Sequence, residues 1–254
     1  MFKVVRLLDL LLLLPILLFG GPVSWAQHPA NSASPSDACL AFKQGLSLGV
    51  SLGHTKTKLR AGETLTVVAL GSSSTTGFGT FGSGGTFPDV MKQELLRLRP
   101  SARIELINSG RIMDNLSGNI ARIDKDVLHY KPDLVVWQIG TNDVVWRGIA
   151  DNTQEMLSNA VKRLKAANAD IVLMDLQYAP LVLASERHTR MEQIITDVAR
   201  KQNVGQFPRF LLMKRAIESG VKGLVWWDGL HHSTEGYRCV GLALAQMIDA
   251  ATRK

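Results

Sequence analysis

Aromatic residues make up only 6% of this 254-residue chain, charged residues 20%, and cysteine occurs twice. Two cysteines cannot staple a disulfide-dense mini-fold. Cys39 and Cys239 also stand too far apart for a CxxC redox or zinc motif. The chain has no internal repeat, no long block of like charge and no second linker. Past its N-terminal stretch it has no apolar run long enough to cross a bilayer. With 46% hydrophobic residues, disorder and a collagen-like repeat are excluded. The length fits one large domain or two small ones, and the missing linker favours one. The net charge of +7 suits anionic surroundings such as lipid headgroups, acidic glycans or nucleic acid without choosing among them. No nucleic-acid-binding motif is recognisable.

The N-terminus points to export. Lys3 and Arg6 precede Leu7–Phe19, which is apolar apart from Asp9 and is broken by Pro15. Ser24 and Ala26 fit the small-x-small rule for cleavage before Gln27. The alternative is an uncleaved anchor, but Asp9 and Pro15 weaken a span. Residues 1–26 are thus expected to be a signal peptide, 27–60 a leader and lead-in segment, and 61–254 the domain. The polar Ser/Pro-rich stretch 27–37 reads as flexible. Both cysteines fall in the exported part, where a Cys39–Cys239 disulfide and two buried thiols are both open.

From residue 64 apolar runs alternate with amphipathic stretches. Strands are expected at 64–70, 103–107, 134–139 and 171–176, with a weak fifth at 204–207. Helices are expected at 88–98, 116–129, 153–167, 186–202, 210–219 and 234–252. Strands that are apolar throughout and alternate with helices imply a parallel sheet covered on both faces, a three-layer α/β/α sandwich of about five mostly parallel strands. Ligands then bind beyond the carboxyl ends of the strands.

Those ends carry the informative residues. Gly71-Ser72-Ser73-Ser74-Thr75 follows the first strand, Asn108-Ser109-Gly110 the second, and Gly140-Thr141-Asn142-Asp143 the third. Asp228-Gly229-Leu230-His231 precedes the last helix. A carboxylate three residues before an imidazole can reach Nδ1 and leave Nε2 facing a nucleophile. Each block alone is weak. Their order along residues 64–245 resembles the SGNH hydrolase superfamily, the GDSL-type esterases and lipases. The stretches Lys131–Asp143 and Asp228–Tyr237 are the most characteristic.

The resemblance implies a flavodoxin-like SGNH fold and a serine esterase, with Ser73 as nucleophile, His231 as base and then acid, and Asp228 as its orienting carboxylate. Ser73 N–H, the Asn142 amide and the Met113 N–H would form the oxyanion hole. The sequence departs from the family pattern in two places. Ser72 replaces the GDS aspartate, and Met113 stands where the family has a glycine. A methionine keeps the backbone donor, while its side chain would alter φ/ψ or narrow the pocket; Gly110 or Gly118 would serve if the loop ran differently. His232 is expected to flank the pocket. No metal or cofactor is expected. The substrate would be a small-molecule, glycan or lipid ester with short acyl chains, cleaved in the periplasm or outside, with peripheral contact to an anionic envelope surface. The alternatives are an acyltransferase or a non-catalytic glycan- or lipid-binding module.

Gly77–Gly82 is a literal GxGxxG, but it starts too far past its strand, and no acidic residue follows the second strand for a ribose; it reads as a glycine loop beside the site. His231-His232 lacks further ligands at metal spacing. His54, His129 and His188 read as surface or half-buried residues. Lys162, Arg163, Lys165, Arg187, Arg190, Arg200 and Lys201 read as solvated helix faces.

Overall fold

The structure, a computed structural model, describes residues 34–80 and 85–253. The expected signal peptide lies outside the described residues, as does most of the polar stretch after it. In chain order the elements are α1 (Pro35–Ala41), α2 (Gly53–Arg60), β1 (Thr64–Gly71), α3 (Ser73–Thr76), α4 (Phe87–Leu98), β2 (Arg103–Gly110), α5 (Leu116–Ala121) and α6 (Ile123–Asp126). Then follow β3 (Leu134–Gln138), α7 (Thr153–Ala166), β4 (Asp170–Met174), α8 (Pro180–Leu183), α9 (Arg187–Gln202), β5 (Gly205–Phe207), α10 (Arg209–Glu218) and α11 (Thr234–Arg253).

All strand pairs are parallel, in the order β2-β1-β3-β4-β5. The expected strands are all present. Period-two alternation sends Leu65, Val67, Leu134, Val136, Val172 and Met174 into one core with α4 and α11. Val68, Leu70, Val135, Trp137, Ile171 and Leu173 enter the other, with α7 and α9. This produces the three expected layers. The chain leaves β1 towards β2 and returns past it to β3. The crevice between the carboxyl ends of β1 and β3 is therefore the topological switch point, where such sheets bind ligands.

Two expectations need correction, and the pairing left open for the cysteines is answered. Residues 35–37 do not belong to a flexible leader; they open α1, where Ser34 Oγ accepts from Asp37 N–H and Pro35 occupies the first turn. The helix expected over 116–129 is broken into α5, α6 and a 3-10 turn at Leu128–Tyr130. The break falls at Arg122, whose buried guanidinium turns away to Asp114, Asp126 and the Gly71 carbonyl. Cys39 and Cys239 are bonded, with Cα atoms 6.0 Å apart, tying α1 to α11.

Candidate active site

The turn after β1 presents Ser73 as the first residue of α3. Ser72 ahead of it is extended, at φ −103° and ψ −152°. At that position a backbone N–H has no carbonyl within its own helix. Gly110, at the end of β2, lies against this turn. A Cβ there would come within 2.4 Å of the Thr76 nitrogen, so only glycine lets the two loops approach.

The Ser73 hydroxyl lies 2.8 Å from His231 Nε2, and His231 Nδ1 lies 2.6 Å from Asp228 Oδ2. A carboxylate only accepts, so Nδ1 carries the proton and Nε2 offers its lone pair to the serine O–H. Asp228 Oδ1 accepts the N–H groups of Leu230 and His231, both at 2.9 Å. Burial on its own raises the Asp228 carboxyl, but the His231 side chain and these backbone donors outweigh it. The group is held below the ordinary carboxylate value. A hydroxyl aligned in this way can surrender its proton as it attacks.

Beyond β3, Asn142 is buried and its Nδ2 donates to the Asp114 carbonyl at 2.7 Å. This sets the amide beside the peptide following Asp114, one residue past Met113. Met113 sits at φ 63°, the left-handed region where glycine is usual. The methionine thus adopts a conformation that favours glycine, and its side chain is about half exposed. Gly110 ends β2 and Gly118 lies within α5, so neither takes that place. Neighbouring bonds hold the loop. Arg122 Nε and Asn119 Nδ2 each donate to Asp114 Oδ2 at 2.6 Å. Asp143, raised by burial, accepts from Leu116 N–H.

His232 does not flank a pocket, contrary to expectation. It is 1% exposed, accepts from Arg209 Nη1 at 3.4 Å and packs edge-on against Tyr237. Burial, then the charges of Arg209 and His231, push its pKa well below the usual histidine value. Neighbouring side chains on an irregular loop diverge, so one imidazole enters the site and the other the core.

Phe78 is the residue that sequence reasoning missed. Its ring lies 4.4 Å from the His231 ring, and Tyr237 Oη donates to its carbonyl at 3.0 Å. The glycine loop beside the site was visible in the sequence; nothing there marked its phenylalanine as a cover for the imidazole. The basic helix residues from Lys162 to Lys201 singled out above are exposed, as expected. His54 and His188 are half-buried and His129 is exposed. A cavity of about 290 Å³ lined by Leu48, Met247 and Ala251 shares no residue with this site.

Comparisons with known proteins point to one family and one fold. Residues 38–254 match the Non-GDSL lipase-like family. The esterase TesA of Pseudomonas aeruginosa is 27% identical over 131 residues, 50% of this chain and 60% of that relative. Among solved structures, a lipase/acylhydrolase from Enterococcus faecalis is 24% identical with a TM-score of 0.63, covering 73% of this chain and 96% of that one. An acetyl xylan esterase from Geobacillus stearothermophilus is 21% identical with a TM-score of 0.63, covering 72% and 94%. At these identities the two structures establish the shared fold. The family match spans nearly all the described residues, and on it the chain belongs to the Non-GDSL lipase-like family of the SGNH hydrolases.

Proposed function

We propose that this protein is an exported serine esterase that hydrolyses short-chain acyl esters through an acyl-Ser73 intermediate. The observation that carries the reading is the unbroken line from Ser73 Oγ through His231 to Asp228. His231 Nε2 takes the hydroxyl proton as Ser73 Oγ attacks the acyl carbon. The resulting oxyanion is met by the N–H groups of Ser73 and Met113 and by Asn142 Nδ2. Collapse breaks the bond to the alcohol oxygen, and His231 returns the proton to that leaving group. Water then repeats the sequence on the acyl-serine, releasing the acid. Each oxyanion donor contributes about 2.7–4 kcal/mol to such a barrier.

A short acyl group is supported by the burial of Ser73, 7% exposed, under the Phe78-covered imidazole, and by a fold neighbour that acts on acetyl xylan. Export is supported by the N-terminal pattern and the disulfide. A net charge of +7 suits peripheral contact with an anionic envelope surface. The non-catalytic reading rested on Met113, and a left-handed backbone there is compatible with a retained N–H donor.

A fluorophosphonate probe should label Ser73, and the label should vanish in Ser73→Ala. His231→Ala should lower kcat by about 10³-fold or more, and Asp228→Asn should lower it with the fold intact. His232→Ala should reduce stability, because it empties a buried site, while leaving the order of kcat. Labelling of Ser72 or Ser74, or a dead His232→Ala beside an active His231→Ala, would overturn the assignment.

A further inference from the structure

Beneath the residues that would touch substrate runs one continuous line of buried side-chain hydrogen bonds. Ser72 N–H and Oγ–H each donate to Gln138 Oε1 at 2.9 Å, and Thr75 Oγ1 donates to the same oxygen at 3.2 Å. Gln138 Nε2 donates to Thr141 Oγ1 at 3.4 Å. Thr141 Oγ1 in turn donates to Gln177 Oε1 at 2.7 Å, and Gln177 Nε2 donates to the Leu230 carbonyl at 3.2 Å. All six residues are buried, Thr75 and Gln177 completely. Gly71 makes room for the line, since a Cβ there would lie 2.2 Å from Thr75 Oγ1 and 2.8 Å from Gln138 Oε1.

Both ends have a fixed polarity. A backbone N–H only donates, so Gln138 must present its oxygen to Ser72. A backbone carbonyl only accepts, so Gln177 must present its amide nitrogen to Leu230. Between them a hydroxyl can accept on one side and donate on the other, and Thr141 supplies it. The line therefore closes in one direction with every bond satisfied. It also joins the three loops on which the site stands. Ser72 precedes Ser73, Thr141 precedes Asn142, and Leu230 lies between Asp228 and His231.

We propose that Gln138, Thr141 and Gln177 are positioning residues that set the mutual spacing of the serine, oxyanion and imidazole loops. This rests on the reading of Ser73, Asn142 and His231 as the reacting groups. It also gives Ser72 a purpose. An aspartate at 72 would set a carboxylate against the Gln138 oxygen. Reversing that amide would strip the Ser72 N–H of its acceptor and propagate to Leu230, where two oxygens would meet. Restoring the GDS aspartate is thus expected to harm this enzyme.

The test uses Thr141→Val, which keeps shape and removes the hydroxyl, together with Thr141→Ser, Gln177→Leu, Ser72→Asp and the Thr141→Val/Gln177→Leu double variant. Steady-state kinetics on p-nitrophenyl acetate, circular dichroism and amide exchange over residues 228–232 are measured on each. Misplacing reacting groups by about 1 Å costs on the order of 100-fold. Thr141→Val and Gln177→Leu should therefore each lose about 10- to 100-fold in kcat with KM little changed, and Thr141→Ser should recover most of it. The double variant should fall no further than the worse single one, since one broken link opens the whole line. Amide exchange at Leu230 and His231 should accelerate. Folded Thr141→Val with wild-type kcat, losses confined to thermal stability, or losses that multiply in the double variant would overturn the proposal. If wild type itself neither turns over nor is labelled at Ser73, the esterase reading fails. The exchange data then decide the line alone: faster exchange in both single variants upholds it and unchanged exchange refutes it.

Discussion

Met113 shows how one residue can break a sequence rule and keep a geometry. At φ 63° a side chain crowds the backbone, at a cost of about 1–2 kcal/mol for a non-glycine residue. The loop holds it there through Asp114, whose carboxylate is clamped by Arg122 and Asn119 and whose carbonyl holds Asn142. Met113→Gly should release that strain while adding about 0.4–1 kcal/mol of unfolded-chain entropy, so thermal unfolding should move upward slightly or hardly at all. Because the proposed oxyanion donor is the backbone N–H, kcat should stay near wild type. Met113→Val, β-branched in the same well, should lower both melting temperature and kcat. Equal behaviour of the valine and glycine variants would show that the backbone at 113 is not what matters. At this scale the sequence was legible where chemistry is local. Asp228 and His231 sit three residues apart on one loop, and both Ser73 and Asn142 follow strands. What it hid depends on which way a side chain turns. His231 and His232 differ by one position and face opposite ways, and Phe78 reaches its imidazole from a loop more than 150 residues earlier in the chain.

Among the elements, the strands and long helices follow from period and punctuation, and the misses have identifiable causes. Helix α1 carried a readable start in Ser34-Pro35-Ser36-Asp37, with a capping serine, a proline in the first turn and an acidic residue there. Its polar composition outweighed that signal. The break between α5 and α6 left no such mark, because a long-range demand sets it: the Arg122 guanidinium is needed at the Gly71 carbonyl beneath the Ser73 turn. Helix α1 is held to α11 by the disulfide. Glu235 accepts from Ser36 N–H, and Arg238 Nε donates to Ser36 Oγ. Closing so long a loop constrains the unfolded chain strongly, and removing such a bond typically costs about 2–5 kcal/mol. A Cys39→Ser/Cys239→Ser variant should therefore melt well below wild type. Its kcat below the melting transition should be unchanged, because no site loop lies in α1. Reduced wild type should melt at the same temperature as the variant. A melting temperature that reduction does not move would show that the two helices are held by their packing alone.

Across the whole molecule, stability should report a buried charge cluster that the chemistry does not use. Arg209 is fully buried at the start of α10, where its Nη2 donates to the Asp175 carbonyl beyond β4. Burial lowers Arg209 to about 10, still charged at neutral pH. Burial raises Asp175 to about 6. Glu192 on α9 is pushed up to about 8, chiefly by burial and then by the negative charge of Asp175, with Arg209 opposing. One Arg209 cation cannot offset two buried carboxylates, so one of them keeps its proton. The signs follow from linkage. A carboxyl whose folded pKa lies above its unfolded value of 4.5 binds more protons in the native state than in the unfolded one. Its contribution is thus full below 4.5 and is lost as pH rises towards 8. His232 has the opposite sense. Held neutral by burial, it withdraws stability as pH falls below its unfolded 6.5, and above that value it contributes no slope. Asp228, held low, withdraws stability only at pH values below its ordinary 3.8. Between pH 6.5 and 8 the Glu192 contribution should therefore dominate, and wild type should melt at progressively lower temperature across that interval. Glu192→Gln mimics the protonated side chain and should flatten this decline. Melting curves of both proteins at half-unit steps from pH 5 to 9 decide it. A decline of equal slope in Glu192→Gln would mean that Glu192 is ionised in the folded protein throughout, with Arg209 as its counterion and the shared proton on Asp175 instead.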